Sequence, residues 1–298
     1  MLKNSENNKY LLSILIPAYN YPIGVERILS KLSSEYSEDI EIIVFDDSSD
    51  NKVHSVCTAY KDAFYSFIYK HNDPAMGAVV NWNSLLDEAQ GEYCLLLHHD
   101  EFPLGDNFVN KVIDTLSINT AIDVLIMDLV LVDINTGFIR QHAPSWLRNL
   151  SAKYFPEYLF RRNVIGPIST LIIRRKIFPH FDSNLQWMVD VDLYVRLFLK
   201  KPKIKFNPSI RIGSSLDRTK SITSSISHNL DKIEKVELHY LNKIYGPKFS
   251  LYRGGIISFY YMPLYIFEKI FWIGFRVIQY LPHYMVYFIK KFKKMDKE

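Results

Sequence analysis

The chain has 298 residues, 48% of them hydrophobic and 14% aromatic, with a formal net charge of +4. That is material for one globular domain of roughly 200 to 250 residues plus an appendage. So mild a charge gives no reason to expect a nucleic-acid partner. Two cysteines, Cys57 and Cys94, make no disulfide scaffold, so a reducing cytosol is the natural setting.

Met1 to Tyr10 is polar, and Pro17 cuts the apolar run that follows, so no signal peptide is expected. Leu11 to Ile16 reads as a first strand, closed by Pro17-Ala18-Tyr19-Asn20. Val25, Ile28, Leu29, Leu32 and Tyr36 then recur at helical spacing. Ile40 to Phe45 is a second buried strand, ending in Asp46-Asp47. A helix marked by Val53, Val56, Cys57, Tyr60 and Phe64, a short strand over 66–69 and a helix carrying Trp82, Leu85 and Leu86 follow. After Gly91-Glu92-Tyr93, the run Cys94 to Leu97 has no helical gap, as suits a strand buried on both faces. It stops abruptly at His98-His99-Asp100-Glu101. This alternation predicts right-handed βαβ units and an α/β fold with a mostly parallel sheet flanked by helices.

In such sheets ligands bind beyond the carboxyl ends of the strands. Two of these strands end in acidic pairs, and the first ends in Tyr19-Asn20, which together suggest a nucleotide and its metal. The ring of Tyr19 offers a surface for stacking a base, and Asp47 an acceptor for a pyrimidine N–H. Core packing for Tyr19 and helix capping for Asp47 are the competing readings. Asp100 lies where a divalent ion would bridge the protein to a diphosphate, and the neighbouring imidazoles and carboxylates could share it.

Four stretches in order, residues 13–20, 41–50, Gly77 with Asn81 or Asn83, and 91–93 followed by Asp100-Glu101, resemble the family 2 inverting glycosyltransferases of GT-A fold. The resemblance covers about residues 11 to 215 and implies sugar transfer from a nucleotide-diphosphate donor with inversion at the anomeric carbon. It places Pro17, Tyr19 and Asp47 at the base and ribose, with Asn20 and His99 beside them, and makes Asp100 the last acid of an Asp-x-Asp metal motif. Here His98 replaces the first acid, which would favour Mn²⁺ over Mg²⁺ if it ligates. It could equally hydrogen-bond phosphate or ribose.

The second half reads as a helix over 106–116, a strand over 123–127, and a hairpin of 130–134 with 138–142. A loop-rich insertion over 147–163 and a strand over 168–173 follow. The segment 187–197 resembles the family's Glu-Asp-x-Asp-Leu-x-x-Arg-Leu element, which makes Asp190 the general base that takes the acceptor's proton. Val189 stands where a glutamate is common. Glu101, Trp187, Asp192 and Arg196 are assigned to the acceptor side or its support, Asp192 and Arg196 being spaced to pair on one helix. Two short strands over 204–206 and 210–212 precede a Ser/Thr-rich stretch, 213–227, whose Arg218 and Lys220 could close over a diphosphate.

The predicted division is a GT-A domain over 1–227 and a helical, membrane-associating extension over 228–298. The stretch 255–298 is rich in Tyr, Trp and Phe and ends in a lysine cluster, yet charges interrupt it before a spanning length is reached. Helices lying in the membrane interface fit it, and an interface of a homo-oligomer is the competing reading. The expected protein is a metal-dependent glycosyltransferase, cytoplasmic and peripheral on the inner face of the cell membrane. Its expected donor is a UDP-sugar and its acceptor a glycan or lipid-linked glycan of surface polysaccharide assembly. The alternatives are a degenerate, non-catalytic binding subunit and a sugar nucleotidyltransferase, though Pro17-Ala18-Tyr19-Asn20 is not the Gly-rich loop of the latter.

Overall fold

The computed structural model describes residues 8–133, 136–215, 229–246, 249 and 268–281. Its first half alternates β1 (Tyr10–Ala18), α1 (Pro22–Ser33), β2 (Ile40–Asp46), α2 (Lys52–Tyr60), β3 (Phe67–His71), α3 (Ala78–Glu88) and β4 (Gly91–Leu96). β1 lies parallel to both β2 and β4, and β2 parallel to β3. The apolar runs of β1, β2 and β4 are buried on both sides, because helices cover each face of the sheet. α1 buries Val25, Ile28, Leu29 and Leu32 as predicted, but it stops before Tyr36, which is exposed. Glu35 has another task. Its carboxylate accepts the N–H groups of Phe108 and Asn110 at the start of a later helix, Phe108–Ile118.

A fully buried carboxylate aligns β1, β2 and β4. Glu41 accepts the Ser13 hydroxyl at 2.6 Å and the Gln90 N–H at 2.6 Å, and Ser13 Oγ in turn accepts the Gly91 N–H at 2.8 Å. A side chain at Gly91 would place its Cβ 2.6 Å from Ser13 N and Oγ, so β4 can start here only with glycine.

The second half continues with β5 (Glu101–Leu104), α4 (Phe108–Ile118), β6 (Val124–Val132), β7 (Ile139–Gln141), α5 (Ser145–Tyr154), β8 (Leu171–Arg174), α6 (Val189–Phe198), β9 (Ile204–Ser215) and α7 (Leu230–Tyr245). A further helix spans 268–281. The strand order is β3-β2-β1-β4-β8-β6-β9-β5, with β7 paired to β6. β6 and β7 form the predicted hairpin, but 123–127 and 130–134 belong largely to one long strand, β6, rather than two. Likewise 204–206 and 210–212 are parts of β9, which skips from Asn207 to Arg211 in its pairing with β6. The loop-rich insertion over 147–163 is instead α5 followed by a 3₁₀ turn, Pro156–Phe160. β8 is preceded by a 3₁₀ turn, Ile168–Thr170, and runs antiparallel to its neighbours.

Two apolar layers sandwich the sheet. One joins Leu12, Ile14 and Ile16 to α1 and α4; the other joins Leu15, Ile43 and Leu96 to α3 and α6. Leu241 of α7, Phe249, and Trp272 of the helix over 268–281 enter the second layer. Within it Arg148 is wholly buried, donating to Asp128 Oδ1 at 3.0 Å and to the Ile165 carbonyl at 2.9 Å. Burial pulls this guanidinium down to about 10, against the opposing pull of Asp128. Breaking such a pair leaves a buried charge without its counter-ion. Asp128→Ala should therefore cost about 3–5 kcal/mol in chemical denaturation.

Candidate active site

The carboxyl ends of β1, β2 and β4 meet as the sequence implies. Asn20 adopts φ +48°, and its amide N–H donates to Ser48 Oγ at 2.8 Å while its side-chain oxygen accepts the Ser49 N–H at 3.0 Å. These bonds tie the end of β1 to the loop after β2 and leave the Tyr19 ring exposed beside it. Pro17 is buried within β1 opposite Phe45. Asp47 is also buried. Its carboxylate accepts from Asn72 Nδ2 at 2.8 Å, Met76 N–H at 3.2 Å and Gly77 N–H at 2.8 Å, so it folds the 72–77 loop over this end of the sheet. One lone pair on Oδ2 remains for a further donor.

After β4 the chain turns sharply through His98-His99. The turn packs so tightly on α1 that a Cβ at Gly24 would lie 2.1 Å from the His99 carbonyl oxygen. The His99 ring meets Tyr21 edge-on at 5.6 Å, and the His98 ring lies against Trp82 at 4.8 Å. His98 Nδ1 is 3.3 Å from Glu101 Oε2, and the Ser169 hydroxyl donates to that same oxygen. His98 Nε2 is buried with no hydrogen-bond partner among the described residues.

Asp190 arrives from the other half of the chain, in the first turn of α6. The backbone N–H of Ile168 bonds its carboxylate, while its Oδ1 is buried without a hydrogen-bond partner among the described residues. The 3₁₀ turn Ile168–Thr170 thus holds two acids at once, Asp190 through an amide and Glu101 through a hydroxyl. Burial is the largest influence on this carboxyl. The His98 charge and the Ile168 amide oppose it and Glu101 and Asp100 add to it, so Asp190 is pushed up to about 6. His98 moves up as well. Burial alone would lower it, but the hydrogen bond and charge of Glu101, with Asp190 and Asp100, raise it to about 9. Asp100 lies above the usual carboxylate range, through burial and the neighbouring Glu101, with His98 and His99 pulling the other way.

His98, Asp100 and Glu101 offer ligand atoms that all lie within 4.8 Å of one another. A set of carboxylate oxygens with one imidazole fits a divalent cation, and the nitrogen tilts it towards Mn²⁺. The residues present therefore fit the ion that the fold implies.

Of the residues singled out in the sequence, His98, Asp100, Glu101 and Asp190 come together, while Asp47 and Asn20 organise the neighbouring strand ends. Asp192 is nearly fully buried and turned elsewhere, accepting Arg196 Nε at 2.7 Å and the Tyr245 hydroxyl at 2.6 Å. Trp187 enters through its backbone, described below. Arg218 and Lys220 lie outside the described residues, as does all of 216–228.

Three participants carry no mark in the sequence. Ser169 is one. Arg27 is another: it lies over the Phe102 ring at 4.0 Å, its charge favours that of Asp100, and its Nε and Nη2 are buried without hydrogen-bond partners among the described residues. The third is Glu237 on α7, whose buried carboxylate accepts the N–H groups of Gln186 at 2.5 Å, Trp187 at 3.0 Å and Met188 at 2.8 Å. These are the amides just before α6, so an anion from α7 caps the helix that presents Asp190.

The model of glycosyl transferase family 2 matches residues 13–181, more than half of the chain and the whole of the strand-end framework just described. The chain belongs to glycosyl transferase family 2. A glycosyltransferase of Rickettsia typhi is 24% identical over 259 residues, covering 84% of this chain and 77% of the relative. The cholesterol galactosyltransferase of Borreliella burgdorferi is 24% identical over 274 residues, covering 85% of this chain and 74% of its own. In three dimensions the chain is similar to S. aureus TarS 1-349 in complex with UDP-GlcNAc. The TM-score is 0.58 at 16% identity, with 85% of this chain and 77% of that one covered. That likeness gives this glycosyltransferase a GT-A architecture.

In this family 2 enzyme Glu237 acts on Asp190 only through the backbone, as a positioning residue. Glu237→Gln keeps the shape but loses the charge that three amides share. It should cost about 1–3 kcal/mol in thermal or denaturant unfolding.

Proposed function

We propose that this glycosyltransferase inverts configuration, moving a sugar from a nucleotide-diphosphate donor, a UDP-sugar, to a hydroxyl of a glycan or lipid-linked glycan in surface polysaccharide assembly. The carrying observation is the unpartnered, buried Oδ1 of Asp190 beside the His98–Asp100–Glu101 cluster, on a carboxyl that titrates near 6. A base for a hydroxyl needs a lone pair not already taken by another donor and a pKa near the working pH, and this carboxyl has both. Asp190 takes the acceptor's proton as that oxygen bonds to the anomeric carbon. The bond from that carbon to the diphosphate breaks on the opposite face, and the electron pair leaves with the diphosphate.

At the donor end, Tyr19 offers its exposed ring to the base and Asp47 its remaining lone pair to a ring N–H, with Pro17, Asn20 and His99 around them. Asp100, His98 and Glu101 would hold Mn²⁺ or Mg²⁺, which when bound offsets the charge developing on the departing diphosphate. Arg27 supports the same end as a fixed positive charge near Asp100. A relative named for cholesterol as acceptor, and a structural neighbour crystallised with UDP-GlcNAc, support a lipid-associated acceptor and a uridine donor.

The same proposal divides the chain into a transferase unit over 1–227 and a membrane-associating extension over 228–298, placed on the cytoplasmic face of the membrane. No helix among the described residues is long and apolar enough to cross a membrane. The helix over 268–281 buries Trp272 against the body and exposes Ile270, Ile273, Val277, Ile278 and Leu281. Residues 270, 273, 277 and 281 share one face, a pattern that suits the lipid interface.

Asp190→Asn should lower transfer by about 10²–10⁴-fold while uridine diphosphate with Mn²⁺ still raises the melting temperature. Turnover within a few-fold of the parent protein would remove Asp190 from the base role. Because the base acts ionised, transfer should fall as pH drops through about 6 towards acid. A bound cation, by stabilising the carboxylate, moves that fall to lower pH. Truncation of the extension would also strip Trp272 from the core, so the membrane reading is better tested on its exposed face. Ile273→Glu with Val277→Glu should leave the fold intact and shift the protein from the membrane to the soluble fraction of a lysate. An unchanged distribution counts against the interface.

A further inference from the structure

Half of the large apolar side chains that the described residues expose lie on three neighbouring elements: β7, α5 with the residue after it, and the helix over 268–281. On α5 they are Trp146, Leu150 and Tyr154, which are 59%, 38% and 67% exposed, and Phe155 follows at 53%. The spacing of four puts the first three on one helix face, opposite the face that buries Arg148, Ser151 and Ala152. Exposed apolar surface gathered in this way marks an interaction site. α5 belongs to the transferase unit, well before the extension.

The three elements adjoin one another. The Trp146 ring meets the Phe271 ring edge-on at 6.1 Å, which sets α5 beside the start of the helix over 268–281. Further along that helix Tyr280 stacks on Phe138 at 4.9 Å, and the Gln279 side chain accepts the Gln141 N–H at 2.6 Å, which sets its end against the β6–β7 hairpin. Glu268 pairs with Arg161 and Arg162, just after the 3₁₀ turn that follows α5, and Trp272 is buried against the body. The helix therefore cannot leave α5 without breaking that pairing and uncovering that ring. Charge on the two helices is one-sided. Their exposed charged side chains, Lys153, Lys269 and Arg276, are all cations, while their single acid, Glu268, is turned inward. Beyond residue 281 the sequence adds Lys290, Lys291, Lys293 and Lys294.

We infer that α5 and the helix over 268–281 form one docking surface for an anionic lipid bilayer, so that the transferase unit itself, and not the extension alone, lies on the membrane. Indole and phenol rings on one helix, aliphatic side chains on the other and cations among them match the interfacial zone of a bilayer, where rings sit at headgroup depth and cations meet lipid phosphate. A second copy of the chain fits this surface less well. Two-fold pairing of the face would bring the same cations together, with no exposed acid on either helix to answer them. The inference rests on the membrane reading of the extension for its partner, but adds an element outside that extension. It also ties the membrane to the site. α5, the turn after it and the Ile168 amide that bonds Asp190 follow one another within residues 145–168, so the stretch of chain that meets lipid is the one that holds the base.

The test uses the full chain and flotation with vesicles of phosphatidylcholine and phosphatidylglycerol. Trp146→Glu with Tyr154→Glu should weaken vesicle binding by about tenfold or more, with an unchanged melting curve. Ile118→Glu, at an 80% exposed position on α4 against the other face of the sheet, should leave it unchanged. Trp146 is also a probe of its own position, being the most exposed of the tryptophans, with Trp82 and Trp272 buried and Trp187 half-buried. Brominated phosphatidylcholine should quench the fluorescence of the wild type, and Trp146→Phe should keep vesicle binding while losing most of that quenching. Binding lost on Ile273→Glu with Val277→Glu but kept in the α5 variant would sink this inference and leave the extension reading standing. The reverse pattern would sink the extension reading and leave α5 as the contact. No vesicle binding by the wild type, quenching that survives Trp146→Phe, or a lipid-free wild-type dimer that the α5 variant turns into monomers would each overturn the bilayer surface, the last by assigning the face to a second copy.

Discussion

The site rests on one constraint: three carboxyl groups, Asp100, Glu101 and Asp190, and an imidazole crowd into a crevice largely closed to water. Carboxylates gathered there repel one another and lose hydration, so the fold must supply compensation. It does so unevenly. Glu101 receives the Ser169 hydroxyl and faces His98, and Asp190 receives one amide and keeps one oxygen unpartnered. The unevenness separates their roles: Glu101 is held firmly, and Asp190 is left with a lone pair and a pKa near neutrality. His98 is central to this balance. A histidine where the family resemblance expects an acid lowers the negative charge of the cluster by one, or by two when protonated.

The two halves of the chain contribute different things. The parallel first half brings three strand ends together and fixes them through Asn20, Asp47 and the buried Glu41. The second half brings the groups that act on them, through the 3₁₀ turn at Ile168–Thr170 and the start of α6. That start is itself stabilised from further along, by Glu237. Val189, where the resemblance expects a glutamate, is buried in the apolar layer, and a carboxylate from α7 sits on the amides immediately before it. The described part of the last seventy residues is therefore structurally continuous with the site, since Leu241 and Trp272 pack into the same layer as α6.

Legibility in the sequence followed burial. β1, β2 and β4 could be read because each is apolar on both faces and stops at polar residues, and those stops are the strand-end groups. β5 could not, because its four residues begin within the histidine–acid run and include Pro103, which suits only a short, irregular strand. β9 looked like two strands because Asn207, Pro208 and Ser209 interrupt it. There the ladder shifts register, and Asn207 Oδ1 accepts the Ser209 N–H at 3.1 Å. α5 was hidden for a different reason: its buried face includes Arg148 and Ser151, so no apolar stripe announces it. Glu237 and Ser169 act through contacts made only in three dimensions, and nothing local distinguishes them.

The arrangement of positive charge completes the picture. The acids gather at the carboxyl edge of the sheet, with Arg27 beside Asp100, whereas Arg140, Arg162 and Arg276 gather between the hairpin and the helix over 268–281. Arg148 is wholly buried and answered by Asp128, and so serves the core. Arg162 is answered as well, by Glu268 at 3.3 Å, and lies over the Trp272 ring at 4.4 Å. Arg161 and Arg162 thus share Glu268, and with Trp272 buried beside them this pairing fastens the helix over 268–281 to the body that presents Asp190.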